Sequence, residues 1–254
     1  MSDWSSDVCS SDLLVNYCFH NDEDDEFGTD WLISNYATVY YEYQVDIAPL
    51  NKITKNNTYI SDSVLEKYKQ YHPYMWQRKL TKDVVDCFEV GYDPQYNVIT
   101  FPVRDEKGHL LGITARSVLN KFYHIPPELT KPVYLLYYIL QHNITNVVVV
   151  ESQINALTLW SYNIPAVALF GTGTPEQLDT LMKCGITYYL LAFDGDDAGR
   201  KGALRFINAF KQRPDIIIDV LILPQGKDVN DLSKEELDTL PSMDSVSYER
   251  FINK

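Results

Sequence analysis

The 254-residue sequence predicts an α/β protein, a mainly parallel sheet with flanking helices preceded by a smaller α+β subdomain. Three observations predict it. Short apolar runs at Val147–Val150, Ala166–Phe170, Tyr188–Phe193 and Ile216–Leu223 alternate with amphipathic stretches. That alternation is the mark of a buried parallel sheet covered on both faces. Ahead of these runs, Val98–Val103 and His109–Thr114 flank the turn Arg104–Gly108 and read as a β-hairpin. Finally, the buried runs end in acids or in polar, Gly-rich turns, and in a parallel sheet such ends share one edge.

The elements follow in order. Residues 1–30 are Ser/Asp-rich and then acidic, and Asp-Trp-Ser-Ser-Asp-Val-Cys-Ser-Ser-Asp-Leu resembles a translated sequencing adapter. They are expected to be a disordered or artefactual tail, with the true start of the protein further upstream. Residues 31–142 form the expected amino-terminal subdomain. Tyr36, Tyr40, Tyr41 and Tyr43 suit packing more than chemistry. One helix is expected over Ser61–Gln77, and a second over Thr81–Phe88 with Thr81 as N-cap. Residues 143–240 carry the strand and helix alternation. Ser152–Tyr162 turns Ile154, Leu157 and Trp160 to one face. Thr174-Pro-Glu-Gln177 is a capping box with Pro at the first helical position, and Gly185 ends that helix. Ala198–Gln212 is a helix with Leu204, Ile207 and Phe210 inward. Residues 241–254 read as a tail.

Composition narrows the function. Hydrophobic residues make up 45% of the chain, which excludes a disordered protein. No apolar run reaches the ~18 residues of a membrane span, and no signal peptide is visible. Cys9, Cys18, Cys87 and Cys184 are scattered without metal-ligand spacing, so no zinc is expected, and a reduced cytoplasmic chain is the default. A net charge of −13 argues against general adhesion to nucleic acid but allows a local basic groove.

The chemistry concentrates at the strand ends. Tyr188–Phe193 stops at Asp194-Gly195-Asp196-Asp197. Two carboxylates ~5 Å apart at an effective dielectric of ~20 repel by roughly 3 kcal/mol, and a divalent cation with oxygen preference offsets this. A solvated turn with an Asp N-cap explains that stretch equally well on its own. Glu151 closes the first run, however, and Gly226-Lys227-Asp228-Val229-Asn230-Asp231 follows the fourth. Their convergence on one edge suits Mg²⁺ and phosphoryl or nucleotidyl transfer.

Glu151-Ser-Gln-Ile-Asn-Ala-Leu, Gly171-Thr, Asp194-Gly-Asp-Asp-Ala-Gly-Arg-Lys and Gly226-Lys-Asp-Val-Asn-Asp-Leu together resemble the toprim (Rossmann-like) domain. That domain is shared by DnaG-type primases, type IA and II topoisomerases and some nucleases. Arg78-Lys-Leu-Thr, Phe88-Glu-Val-Gly-Tyr-Asp, Ile99–Gly108, Arg116-Ser and Tyr134-Leu-Leu-Tyr are similar to the preceding half of a primase core. The match runs from about residue 65 to 240, and its compact Gly-Lys-Asp-Val-Asn-Asp-Leu ending resembles phage and prophage primases. The resemblance implies catalytic or metal roles for Glu151, Asp194, Asp196 and Asp228, with Asn230 as a further ligand and Mg²⁺ or Mn²⁺ as cofactor. Asn155 stands where the family usually has Asp. Phosphate contacts are implied for Arg104, Arg116, Lys121, Lys131, Arg200, Lys201 and Lys227. The implied activity is RNA primer synthesis from NTPs on single-stranded DNA. A replicative helicase and a zinc-binding module, separate or missing, are the expected partners, and a bacterial or phage-infected cytoplasm the setting. The alternatives are another toprim nuclease or topoisomerase fragment, and a non-catalytic DNA-binding module, which Asn155 would favour.

Overall fold

The computed structural model describes residues 59–252 apart from 121 and 128. The amino-terminal tail, most of the Tyr-rich segment and Lys121 are not among the described residues. Among the described residues no helix is long and apolar enough to cross a membrane.

The first elements are a 3₁₀ helix at Asp62–Tyr68, α1 at Pro73–Gln77 and α2 at Lys82–Cys87. The single helix expected over 61–77 is therefore broken. Pro73 takes the first helical position and holds His72 extended, at φ −132° and ψ 142°. Thr81 caps α2 as expected, its hydroxyl accepting the Val84 amide at 3.4 Å. Next come β1 (Gly91–Asp93), β2 (Val98–Arg104), β3 (Leu110–Ser117) and β4 (Tyr123–His124) in an antiparallel sheet of that order. The hairpin of β2 and β3 pairs Phe101 with Thr114 and Ile99 with Arg116. Asp105 builds its turn by accepting the Lys107 and His109 amides at 3.0 and 2.8 Å.

The chain then enters α3 (Leu136–Gln141), β5 (Asn146–Val150), α4 (Gln153–Ser161), β6 (Ala166–Ala168), α5 (Pro175–Lys183), β7 (Tyr188–Leu191), α6 (Asp197–Ala209) and β8 (Ile217–Leu221). The second sheet has the order β6-β5-β7-β8, all parallel, so each strand ends on the same edge. Val147–Val150 are all buried, which is why β5 reads as an unbroken apolar run. The capping box at Thr174 is present in full. The expected tail instead supplies structure. After α7 (Lys234–Asp238), β9 (Ser242–Asp244) pairs antiparallel with β8, and α8 (Ser245–Ile252) packs against both strands.

Two further differences decide how the site is placed. In α4 every side chain from Gln153 to Trp160 is buried, where one inward face was expected. The helix lies between its own sheet and the amino-terminal elements, and its polar groups reach across. Gln153 accepts the Thr114 hydroxyl at 2.6 Å, and Thr158 donates to the Arg78 carbonyl at 3.3 Å. Phe88, Tyr138 and Trp160 fill the same seam edge to face, at 5.1–5.4 Å between centroids, a favoured aromatic geometry. In α6 the inward positions are Ala203, Phe206 and Ile207, while Leu204 is half-buried. Phe206 stacks on Phe210 at 4.5 Å against Tyr189 of β7.

Candidate metal and nucleic-acid site

β5, β7 and β8 are neighbours, so the loops that follow them meet. The Asp194 amide donates to Glu151 Oε1 at 3.2 Å. The Gly195 amide donates to the Lys227 carbonyl, and the Gly226 amide to the Gly195 carbonyl, both at 2.8 Å. This contact requires glycine: a Cβ on Gly195 would lie 2.0 Å from the Pro224 oxygen. Gly199 likewise lets the first turn of α6 close on Asp194, since a Cβ there would sit 2.1 Å from the Asp194 carbonyl.

The carboxylates differ in what they already do. Asp196 is the N-cap of α6, and its Oδ1 accepts the Gly199 amide at 2.8 Å. Asp228 caps the 3₁₀ turn Val229–Asp231, accepting the Asp231 amide at 3.0 Å while Asp231 returns the bond to the Asp228 amide at 3.1 Å. Asp197 is exposed and pairs with Arg200 at 2.6 Å. Asp194 is the exception, because its Oδ1 is buried without a hydrogen-bond partner. Burial, then the charges of Glu151, Asp228, Asp196 and Asp231, push its carboxyl up to about 7. Glu151 is also raised, by burial first; the bond from the Asp194 amide opposes the rise and the Asp196 charge adds to it. Asp231 belongs to this field, although the sequence pattern alone did not single it out.

Among the described residues, no three His, Cys, Asp or Glu side chains already form a group that could hold a metal ion. Glu151, Asp196 and Asp228 each spend one oxygen on a backbone amide. Each carboxylate has a second oxygen. The donor set is all oxygen and anionic, and the orphaned Asp194 Oδ1 sits among four other acids, so the residues fit a hard divalent cation. Asn230 has a buried side chain whose Nδ2 donates to the Arg78 carbonyl at 2.7 Å and to Thr158 Oγ1 at 2.8 Å, so its nitrogen already ties the loop to the turn that carries Arg78. Asn155 is buried too, its Oδ1 unpaired at the start of α4.

Among the described residues, the bases expected to meet phosphates differ in what they already bind. Arg104 is a correction: its guanidinium pairs with Asp62 at 2.7 Å and with Glu89 and donates to the Gly108 carbonyl at 2.9 Å, and its side chain is only 11% exposed. It holds the hairpin to the first helical segment and has little left to offer a phosphate. Arg116 Nε donates to the Tyr74 hydroxyl at 2.9 Å. Arg200 is shared between Asp197 and Gln225. Lys131, Lys201 and Lys227 are exposed. Arg78, at the start of the Arg78-Lys-Leu-Thr motif, has a buried and unpaired Nε, and its guanidinium lies 5.9 Å from the Tyr74 ring centre. Arg78, Tyr74 and Arg116 thus form one small basic group. Arg205, which sequence reasoning missed, staples the loop after β6 by donating to Thr172 Oγ1 and the Gly173 carbonyl, both at 2.8 Å.

A parallel sheet with an acidic carboxyl edge and a glycine crossing between its loops defines a class. Residues 148–233 match a family described as Toprim-like. The described chain as a whole has the fold of a DnaG-type primase catalytic core. It resembles a solved DnaG primase catalytic domain bound to single-stranded DNA with a TM-score of 0.61 and 21% identity, over 76% of each chain. The DNA primase of Buchnera aphidicola is 30% identical over 176 residues, covering 63% of this chain and 30% of that protein. The DNA primase of Chlamydia pneumoniae is 27% identical over 202 residues, covering 61% of this chain and 34% of that one. The chain therefore spans roughly a third of the length of these curated relatives.

Proposed function

We propose that this chain is the catalytic core of a DNA primase, joining NTPs into short RNA primers on a single-stranded DNA template. The observation that carries the proposal is the Asp194 carboxyl, buried on one oxygen, unpaired, and raised to about 7 amid Glu151, Asp196, Asp228 and Asp231. Such a group is costly unless a cation neutralises it. Glu151, Asp194 and Asp228 would hold Mg²⁺ or Mn²⁺, with Asp196 dividing its oxygens between the ion and the cap of α6. Held there, the ion would supply charge neutralisation for triphosphate oxygens and a lowered pKa for a bound hydroxyl. Asp194 would give up its proton on loading. Lys201 and Lys227 flank the edge as exposed cations suited to triphosphate, and Arg78, Arg116 and Lys131 suit the template backbone.

The four-stranded sheet then belongs to the amino-terminal subdomain at 31–142. The four parallel strands β5 to β8 belong to the toprim part at 143–240, extended by β9 and α8. A zinc-binding module and a replicative helicase are the partners this core would need to choose and concentrate its template, in the cytoplasm of a bacterial or phage-infected cell. The test supplies labelled NTPs, single-stranded DNA and Mg²⁺ or Mn²⁺ to the chain and to its Asp194→Asn variant. Metal-dependent primers from the parent alone support the proposal. DNA cleavage with Mn²⁺ and no NTP would replace it with a nuclease.

A further inference from the structure

Lys79 adopts φ +63°, the left-handed region that non-glycine residues seldom occupy. From there its ammonium donates to the carbonyls of Asn230 and Leu232, each at 2.7 Å. Asn230 answers across the same gap, its Nδ2 donating to the Arg78 carbonyl at 2.7 Å and to Thr158 Oγ1 at 2.8 Å. The orientation of that amide is fixed chemically: the Arg78 carbonyl only accepts, so the nitrogen must face it. The Tyr162 hydroxyl adds a bond to the Leu232 carbonyl at 3.2 Å. Two segments some 150 residues apart thus exchange hydrogen bonds in both directions. One is the turn that carries Arg78, and the other is the loop that carries Asp228. The loop's far side is held by Gly195 through Lys227 and Gly226.

We propose that Lys79 and Asn230 are positioning residues that fix the Asp228 loop at the acidic edge and set its place relative to Arg78, and that Asn230 is not itself a metal ligand. The proposal rests on the metal-dependent function above, and its test separates the two. Lys79→Gly is the informative variant. It removes the ammonium yet suits the left-handed backbone, so the turn itself is relieved. Lys79→Arg keeps a cation that can reach carbonyls. Asn230→Asp adds a charge and removes the donor.

The experiment uses the whole chain. It measures amide exchange over 228–232 in the metal-free protein, Mn²⁺ affinity by paramagnetic resonance, and the melting temperature. Lys79→Gly is expected to speed exchange in that loop about 10-fold and to weaken Mn²⁺ binding by a similar factor, with the melting temperature little changed. Lys79→Arg is expected to recover most of both. Asn230→Asp is expected to weaken Mn²⁺ binding despite its added charge. Unchanged exchange and affinity in Lys79→Gly would overturn the proposal, as would tighter Mn²⁺ binding in Asn230→Asp, which would make that position a ligand. If the parent chain binds no Mn²⁺, the proposed function fails, while the exchange comparison still decides whether Lys79 braces the loop.

Discussion

At the carboxyl ends of β5, β7 and β8, Glu151, Asp194 and Asp228 crowd together, and among the described residues none of them has an ion-pair partner. On the four-stranded sheet Arg104 is already engaged, with Asp62 and Glu89. The first region keeps its carboxylates without a counter-charge. The second spends charge on holding the chain together. A charge kept unpaired and half-buried marks a site better than a charge that is merely abundant.

Four experiments can break or sharpen this contrast. The largest effect is expected from Asp194→Asn, which should cut primer synthesis at least ~100-fold, since losing such a ligand typically costs several kcal/mol of barrier. The same change should raise the melting temperature of the metal-free protein, because it removes one member of a repelling group. Loss of activity with a lower melting temperature would mean that Asp194 serves the fold instead.

The pH dependence of stability comes next. The Asp194 carboxyl rises from 3.8 to about 7 on folding. The folded state therefore holds a proton that the unfolded chain has already lost, and the contribution is present below about pH 4 and lost as pH rises through about 7. Urea melts of metal-free protein should weaken across that window, and saturating Mn²⁺ should abolish the trend. A flat profile would mean that Asp194 is ionised without cost and is not poised for a cation.

Arg104→Met should behave oppositely. It is expected to cost about 2 kcal/mol of stability, because Glu89 loses a charged partner in a part-buried site, and to leave the salt dependence of DNA binding unchanged. A lower salt slope would return Arg104 to the phosphate-binding group. The smallest effects belong to the exposed lysines. Lys131→Ala should lower the log–log salt slope by ~0.7 on single-stranded DNA, and Lys227→Ala, on the triphosphate side, should leave that slope alone, both barely moving the melting temperature.

The two regions also differ in how far the sequence reveals them. A buried parallel strand announces itself as an apolar run, and the residue after it must lie at the carboxyl edge, so Glu151 and Asp194 were placed by chain geometry alone. No comparable rule says which acid an arginine will meet. Arg104 finds Glu89 only because β2 returns beside the segment after α2, which is a tertiary fact. Asn230 is harder still. In sequence it is one more oxygen beside Asp228, and only the burial of α4 against the amino-terminal elements turns it toward Arg78 and Thr158. The break before Pro73 carried a signal that the single helix expected over 61–77 passed over, since proline constrains the residue ahead of it. β9 was not, because three residues of mixed polarity carry no period until β8 lies beside them.

β9 has a consequence for anyone who shortens this chain. A version ended at Asp231 would keep every acid of the carboxyl edge and nearly the whole of 148–233. It would also bare the outer row of amides and carbonyls along β8, whose Ile217, Ile218, Val220 and Leu221 make a short apolar ribbon. An open edge of that kind invites a second copy to pair with it. The shortened protein would be lost to insoluble stacking, with its chemistry intact in principle and out of reach in practice.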